Sequence, residues 1–226
     1  MKYLPVRVLG AAACASFLGL AAASAQPYYA PVYAPAYVSY PGNDFGFYFN
    51  ADLGPDFMTD FHSARFGFPG NFSARPGVRF DAEPGFNFLA TRQFTLGAEF
   101  ETGVAYNYLN SVKQSGNPNS LRGDYYQVPL LANLVLKLNT DSIVVPYIGL
   151  GGGGDYSEAR IHRPGYFGFE RESDAINPAV SAMAGVRFRL NPISDVGIGY
   201  KFLAAIPSEG SYIGTHAIMA SFTVKF

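Results

Sequence analysis

The sequence predicts an eight-stranded antiparallel up-and-down β-barrel that crosses a membrane with its strands. Three observations lead to this fold class. From residue 44 onward, apolar side chains alternate with polar or small ones, which is the pattern of strands with one apolar face. Eight such segments occur, and the connections between them alternate between long and short. Charged residues make up only 15% of the chain, whereas a soluble domain averages about 25%.

The composition excludes several other classes of protein. With 20 Phe and 16 Tyr, the chain carries too much apolar surface for a disordered protein. No apolar run reaches the roughly 18 residues that a membrane-spanning helix needs. The formal net charge is −1 and the basic residues form no cluster, so we expect no nucleic-acid partner.

Residues 1–25 predict a cleaved secretory signal peptide. Lys2 and Arg7 precede an apolar stretch, and residues 23–25, Ala-Ser-Ala, fit the small-x-small cleavage rule. The only cysteine, Cys14, lies in this segment and lacks the Leu that usually stands three positions ahead of a lipidated cysteine. The mature chain is therefore expected to have no disulfide, thiolate zinc site or cysteine nucleophile.

Residues 26–43 predict an extended periplasmic linker rich in Pro and Tyr. Four prolines between residues 27 and 41 interrupt any helix, and proline cannot donate a hydrogen bond to a β-ladder. We interpret this segment as a spacer that leads into a barrel domain over residues 44–226.

Eight segments with a period of two make up the predicted barrel domain. The predicted strands are residues 45–53, 78–88, 94–108, 126–137, 143–155, 180–190, 196–203 and 216–226. The short connections are rich in turn-forming residues and lie at residues 90–93, 139–142 and 191–195. The long connections are expected to be external loops and lie at residues 54–76, 109–124, 156–175 and 204–214. Short turns on one side, long loops on the other and an even strand count are typical of outer-membrane barrels.

The charged face of these strands is predicted to point into the barrel. On the outside, each Arg or Lys at the bilayer midplane would cost about 2 to 4 kcal/mol. An eight-stranded barrel is only wide enough to be filled by its own side chains, so acids and bases are expected to pair across the lumen. The predicted lumen charge network comprises Arg79, Asp81, Glu83, Glu99, Glu101, Lys137, Arg187, Arg189, Lys201 and Lys225.

A soluble eight-stranded barrel of the lipocalin type is the main structural alternative. Such a barrel also alternates, but it places its apolar face in the lumen and its polar face in water. In this sequence the polar face has too few Lys and Glu residues to solvate a whole surface. An exterior that faces lipid therefore fits the pattern better.

The signal peptide, the strand count and the final strand resemble the small outer-membrane β-barrel proteins of Gram-negative bacteria, the OmpA-transmembrane-domain-like and opacity-type surface antigens. The last strand in that family ends in Phe after alternating apolar residues, which correspond here to Ile218, Ala220, Phe222, Val224 and Phe226. Residues 146–153, PYIGLGGG, are similar to the family's PYxGxGxG strand, and residues 184–188, AGVRF, resemble the strand that follows it.

This resemblance implies an outer-membrane location with both termini in the periplasm. It also implies that the barrel assembly machinery reads the last strand and that the barrel contacts outer-membrane lipid and lipopolysaccharide. The function expected from it is non-enzymatic, namely support of the envelope and presentation of four loops as a surface antigen or adhesion surface for a host or environmental ligand. Two alternatives remain open, a pore for ions or small solutes and an enzyme that modifies lipid A.

No catalytic, cofactor-binding or metal site is predicted from the residues. His62 and His162 fall in predicted loops, and His216 begins the last strand near the outer rim. The one constellation that lies close in sequence is Ser208, Glu209, Ser211 and His216. It lacks the His-x-Ser spacing of the lipid A deacylases, so exposed polar loop residues are the simpler account.

Two further patterns in the sequence could indicate a Ca²⁺ site or a phosphate-binding loop. Asp81, Glu83, Glu99 and Glu101 offer oxygen atoms of the kind that bind Ca²⁺, but basic residues are available as their partners, and we expect ion pairs. The glycine run at residues 151–154 lacks the GK[ST] ending of a phosphate-binding loop. We expect it to mark a bend or a close backbone approach in a strand.

Overall fold

The computed structural model describes residues 44–59, 61–63, 70–114, 117–140, 142–162, 170–206 and 213–226. The predicted signal peptide and linker lie outside these residues. Every described element is a β-strand, in the order β1 (Gly46–Met58), β2 (Phe61–Ser63), β3 (Gly70–Ala74), β4 (Gly77–Ala90), β5 (Phe94–Gln114), β6 (Asn117–Leu138), β7 (Val144–His162), β8 (Glu170–Asn191), β9 (Ser194–Ala205) and β10 (Ile213–Lys225). Within the described ranges, no helix is long and apolar enough to cross a membrane.

Eight of these strands form a closed barrel in which all neighbours are antiparallel. The order around the ring is β4-β1-β10-β9-β8-β7-β6-β5, and β5 pairs again with β4. The first and last strands are joined along most of their length, with Phe49 opposite Val224 and Asp56 opposite Ala217. The predicted eight-stranded antiparallel barrel is therefore confirmed.

Tight turns connect the strands at one end of the barrel, which we call the turn end. Between β4 and β5, Thr91 Oγ1 accepts a hydrogen bond of 3.0 Å from the Phe94 N–H. Between β8 and β9, the Ile193 N–H donates to Asn191 Oδ1 at 2.9 Å. Side chains that bond the backbone two or three residues away stabilise a sharp reversal of the chain, which explains why these polar residues lie at the predicted turns.

The opposite end, the loop end, differs from the prediction because the strands continue far into the segments predicted as loops. β5 and β6 remain paired as far as Gln114 opposite Asn117, and β7 and β8 as far as His162 opposite Glu170. β9 and β10 likewise extend to Ala205 opposite Ile213. The alternation that marks a strand in the sequence requires one apolar face, whereas ladder hydrogen bonds need only the backbone.

A small hairpin occupies much of the first segment that was predicted as a loop. β2 pairs with β3, with Phe61 opposite Phe72, and β3 adds to the loop-end part of β5, with Phe72 opposite Val112. β5 therefore has β4 as its neighbour near the turn end and β3 near the loop end.

The two faces of the barrel wall have opposite character. Large apolar side chains are exposed on the outside of every barrel strand, for example Phe47, Val78, Phe100, Leu134, Leu150, Val180, Ile198 and Phe222. Charged and amide side chains are buried on the inside, which is the reverse of the lipocalin arrangement. Exposure of this much apolar area to water would cost roughly 25 cal/mol for each Å², so the outer surface is one that faces lipid.

Adjacent glycines of β7 lie on opposite faces of the wall and test this assignment. A Cβ atom at Gly153 would lie 2.2 Å from the Leu130 carbonyl oxygen, which is backbone of the neighbouring strand. A Cβ atom at Gly152 would meet nothing nearer than the Ala179 carbonyl oxygen at 3.7 Å. We therefore expect Gly153→Ala to destabilise the barrel by about 1 to 3 kcal/mol and Gly152→Ala to have little effect.

The measurement is the temperature at which half of the protein changes its electrophoretic mobility on SDS gels from that of the folded form to that of the unfolded form. A closed barrel resists SDS until it is heated, because its backbone groups are paired and no edge is open. Equal midpoints for the two alanine variants would contradict the close approach of the Leu130 backbone to Gly153. A wild-type chain without any heat-dependent shift would contradict the closed barrel itself.

Candidate functional site in the barrel lumen

The ring order of the strands determines which charged side chains meet inside the barrel. β9 lies opposite β5, and β8 lies opposite β4, when the eight strands are counted around the ring. Acidic residues at alternate inward positions of β1, β4 and β5 therefore face basic residues of β8 and β9 across the lumen. The structure brings these groups together in two clusters and a rim.

Lys201 is the centre of the first group, which we call the central cluster: Asp52, Arg79, Asp81, Glu83, Glu101 and Lys201. The Lys201 Nζ atom lies 3.1 Å from Asp52, 2.8 Å from Asp81 and 3.6 Å from Glu101, and it also contacts Glu83. Its side chain is only 5% exposed. One ammonium group thus contacts four carboxylates from three strands, which ties β9 to the opposite side of the wall.

Arg79 supplies the second positive charge of the central cluster. Its Nε atom lies 2.8 Å from Asp81 and its Nη2 atom 2.7 Å from Glu101. The other Glu101 oxygen accepts a 2.7 Å hydrogen bond from the Asn133 side chain, and Asn50 donates in the same way to two further carboxylates of the cluster. Buried ion pairs are stable only when such extra hydrogen bonds satisfy the remaining oxygen atoms.

The central cluster also contains three carboxylates whose oxygen atoms lie close enough together to bind one metal ion. Oxygen atoms of Asp52, Asp81 and Glu83 lie within 4.8 Å of one another. The Lys201 ammonium contacts all three carboxylates, so the chain itself supplies the cation at this position. The geometry among these described residues is that of an ion-pair cluster.

The second cluster lies nearer the turn end and combines charges with aromatic rings. Arg187 lies 3.4 Å from Glu99, which also accepts a 2.7 Å hydrogen bond from the Tyr48 hydroxyl. The Arg187 guanidinium lies 4.9 Å from the centre of the Tyr147 ring. These contacts anchor a buried guanidinium through one carboxylate and one ring face.

Lys137 was predicted as part of the charge network but has a different set of partners. Its Nζ atom lies 3.8 Å from the centre of the Tyr48 ring and donates to Asn87 Oδ1 at 3.0 Å. Among the described residues, no carboxylate lies within ion-pair distance of this ammonium. A ring face and an amide oxygen therefore take the place of the expected acidic partner.

Ion pairs also close the rim at the turn end. Asp44, which precedes β1, lies 2.9 Å from Arg189 and 3.0 Å from Lys225. Lys225 also lies 2.9 Å from Asp195. The Asn87 side chain donates to the Asp44 carbonyl oxygen. The start of the barrel domain is thus tied to β4, β8 and β10 across the mouth.

All ten residues of the predicted network lie on the inward side of the wall or at its rim. The sequence interpretation missed several polar residues that complete the clusters, namely Asp44, Tyr48, Asn50, Asp52, Asn133 and Asp195. Asp52 could have been found, because it occupies an inward position of the first predicted strand. Asp44 and Asp195 flank the ends of strands, where alternation carries no information.

An apolar layer fills the lumen toward the loop end. It consists of buried residues from six strands, Met58, Leu109, Tyr125, Ala159, Ala205 and Ile213. A second apolar group of Leu131, Ala179 and Leu203 lines the wall. This layer was not predicted, because most of its residues fall in segments that were interpreted as external loops.

The last strand presents the residues of the predicted assembly signal to the outside. Ile218, Phe222 and Phe226 are exposed on the outer face of β10, and Ala220 and Val224 lie between them on the same face. β10 pairs with both β1 and β9, so this strand completes the ring. Recognition of the strand by the assembly machinery stays a prediction.

His216 lies on the outer face of β10. Its Nδ1 atom is hydrogen-bonded to the Tyr200 hydroxyl, and its ring lies 5.0 Å from the Phe202 ring. Residues 208–211, which completed the constellation considered in the sequence, lie outside the described residues, as do the side chains of His62 and His162. The described partners of His216 are thus a phenol and an aromatic ring.

Comparisons with known proteins find solved structures of outer-membrane barrels that are similar to this chain. Neisserial surface protein A is 20% identical, with 80% of this chain and 97% of that chain covered and a TM-score of 0.49. The outer membrane protease OmpT from Escherichia coli is 9% identical (80% and 97% covered, TM-score 0.48), and Ail, the attachment invasion locus protein of Yersinia pestis, is 13% identical (79% and 99% covered, TM-score 0.42).

No protein-family model and no curated protein matches the chain. The barrel architecture that the sequence resemblance implied is present in the structure itself, as an eight-stranded closed ring. The likeness to the solved structures concerns the fold alone.

The central cluster generates a prediction about stability. Lys201→Met keeps most of the side-chain volume but leaves four buried carboxylates with one cation, so we expect a loss of about 3 to 5 kcal/mol in the free energy of unfolding. Lys225→Met, at the partly exposed rim, serves as the matched control and should cost less. Urea-induced unfolding in detergent micelles, followed by circular dichroism, measures both variants. Equal losses for the two variants would mean that Lys201 does not hold the cluster together.

Proposed function

We propose that this chain is a non-conducting outer-membrane β-barrel protein that supports the envelope and presents its loop end as a contact surface. The observation that carries the proposal is the filled lumen. The rim and the two charged clusters occupy the turn end, and the apolar layer lies across the loop end. Selective conduction needs a wetted path lined by polar groups, and an apolar layer interrupts such a path.

The position of the barrel in the bilayer is supported by aromatic residues at the loop-end boundary of the apolar surface. The Tyr106 and Tyr126 rings lie 5.0 Å apart, and the Tyr106 hydroxyl donates to Asp124 at 2.7 Å. Nearby, the Arg75 guanidinium lies 5.7 Å from the centre of the Tyr108 ring. Tyrosines with a polar contact on one side and lipid on the other form the girdles of outer-membrane barrels.

The orientation that we propose places the turn end in the periplasm. Short turns and both ends of the barrel domain, Asp44 and Phe226, belong to that end. In outer-membrane barrels the periplasmic turns are short and the extracellular connections long. In this orientation the outer face of β10 meets the assembly machinery first, and the wall contacts outer-membrane lipid and lipopolysaccharide.

The proposed contact surface is built largely from strands. β5 and β6 and also β7 and β8 continue as paired hairpins at the loop end, and the β2–β3 hairpin adds to β5. A preformed sheet loses less conformational freedom on binding than four free loops would. This supports a role in contact with a host or environmental ligand, or as an antigen.

Conductance decides between this proposal and the alternative of a pore. We expect the purified chain, refolded into planar bilayers, to show no stepwise current in 1 M KCl, because the apolar layer interrupts the polar lining of the lumen among the described residues. Heat-dependent gel mobility of the same preparation verifies that the barrel is closed. Reproducible single-channel steps from a preparation that passes this check would favour the pore.

We also propose that the chain has no lipid A-modifying activity. His216 is bonded to Tyr200 rather than to a serine or a carboxylate, so the described residues around it do not form a nucleophile and base pair. Lipid A from cells that express the wild-type chain is expected to give the same mass spectrum as lipid A from cells that express His216→Ala. Removal or transfer of an acyl chain that depends on His216 would overturn this part of the proposal.

A further inference from the structure

Two carboxylate–amide pairs lie in the lumen between the central cluster and the apolar layer. The Asn107 side chain donates to Asp56 Oδ2 at 2.6 Å, and the Gln127 side chain donates to Asp155 Oδ2 at 3.0 Å. All four side chains have no exposed surface. In each pair the amide N–H satisfies one carboxylate oxygen and leaves the other carboxylate oxygen and the amide oxygen free to accept.

Five oxygen atoms at this level have no hydrogen-bond partner within the described part of the chain. They are Asp56 Oδ1, Asn107 Oδ1, Gln127 Oε1, Asp155 Oδ1 and Thr215 Oγ1, which we call the oxygen layer. Thr215 is also fully buried. Native proteins leave few buried polar atoms without partners, and each such atom calls for a physical explanation.

The sheet topology brings these oxygen atoms to one section of the lumen. β1, which carries Asp56, lies opposite β7, which carries Asp155, in the ring. The hydroxyl of Tyr125, on β6, interacts electrostatically with both carboxylates. Asp56, Asn107 and Gln127 are each two residues from a residue of the apolar layer, namely Met58, Leu109 and Tyr125. In each case the polar residue lies on the turn-end side. The oxygen layer is therefore covered by apolar side chains toward the loop end.

The oxygen layer has no ion-pair partner among the described side chains, although the charge of Arg79 acts on both Asp56 and Asp155 from a distance. No Lys, Arg or His among the described residues lies within 4.0 Å of Asp56 or Asp155, whereas the central cluster contains Lys201 and Arg79. The guanidinium of Arg79 is directed to Asp81 and Glu101. Two ionised carboxylates surrounded by further acceptor oxygens in a water-poor lumen carry a large desolvation cost, which a bound cation would offset.

We propose that the oxygen layer binds a divalent cation of the Ca²⁺ type, with water molecules completing its coordination shell. Carboxylate, amide, hydroxyl and water oxygens are the ligands that Ca²⁺ accepts, and its coordination geometry is flexible. Because the two carboxylates come from opposite strands of the ring, β1 and β7, the cation is held between them and retains part of its water. The site is distinct from the central cluster, where the chain supplies its own cations.

The experiment compares chains that are refolded from urea into detergent micelles in the presence of Ca²⁺ or of EDTA. Refolding is necessary because the apolar layer covers the site once the barrel closes. Ca²⁺ is expected to raise the midpoint of thermal unfolding of the wild-type chain, measured by circular dichroism. Equilibrium dialysis should then recover about one tightly held Ca²⁺ per chain.

Paired variants identify the site. The double variant Asp56→Asn with Asp155→Asn removes both charges at nearly constant volume and should lose both the thermal shift and the bound Ca²⁺. Asp124→Asn removes a carboxylate of the loop end that is bonded to Tyr106 outside the oxygen layer, and it should keep both effects. Heat-dependent gel mobility verifies that each variant closes.

Three results would overturn the proposal. A wild-type chain that retains no Ca²⁺ and shows no thermal shift would mean that the two carboxyl groups are neutral acids. An undiminished shift in the double variant would place the cation elsewhere. If the double variant does not form a closed barrel, the Thr215→Val variant tests the site instead. It removes one hydroxyl oxygen of the oxygen layer and keeps both carboxylates. Ca²⁺ binding by Thr215→Val that equals wild-type binding would then contradict the assigned site.

Discussion

A narrow lumen enclosed by lipid is the constraint on which the rest of this structure depends. The outer face of each strand must be apolar where it crosses the lipid, so the charged side chains of that section point inward, where little water can solvate them. Each charge therefore has to find its partner on another strand. Lys201 shows the consequence most directly, because its ammonium group contacts carboxylates of β1, β4 and β5. These contacts couple strands that share no hydrogen-bonded edge.

The same constraint explains why the lumen changes character along its axis. Ion pairs and amides fill the section that lies within the lipid, where the strands have a fully apolar outer face. Toward the loop end the wall meets water outside, and the interior becomes apolar, as in the layer around Met58 and Leu109. Glycines create the room for large inner side chains. A Cβ atom at Gly151 would overlap the Asn133 amide, and one at Gly85 would overlap the Tyr48 ring.

The sequence predicts the wall of the barrel well and its ends poorly. A period of two identifies which side chains share a face, and the cost of charge in lipid then predicts which face is inside. In the structure Arg79, Glu101 and Lys201 are buried and contact one another's partners within the central cluster. The partner of each charge depends on the ring order, which local alternation does not encode. Lys137 illustrates this, because its contacts are the Tyr48 ring and Asn87.

The extent of the strands at the loop end was missed for a related reason. Residues 110–121 show no regular alternation of apolar and polar residues in the sequence, although the backbone ladder continues there, with Val112 opposite Leu121. The oxygen layer at Asp56 and Asp155 escaped notice in the same way, since both residues stand at or beyond the limits of predicted strands. The described lumen is filled by ion pairs and packed side chains, so the contact surface that we propose lies outside it, on the loop-end sheet. The stability of the filled interior and the presentation of that surface are thus two consequences of one closed barrel.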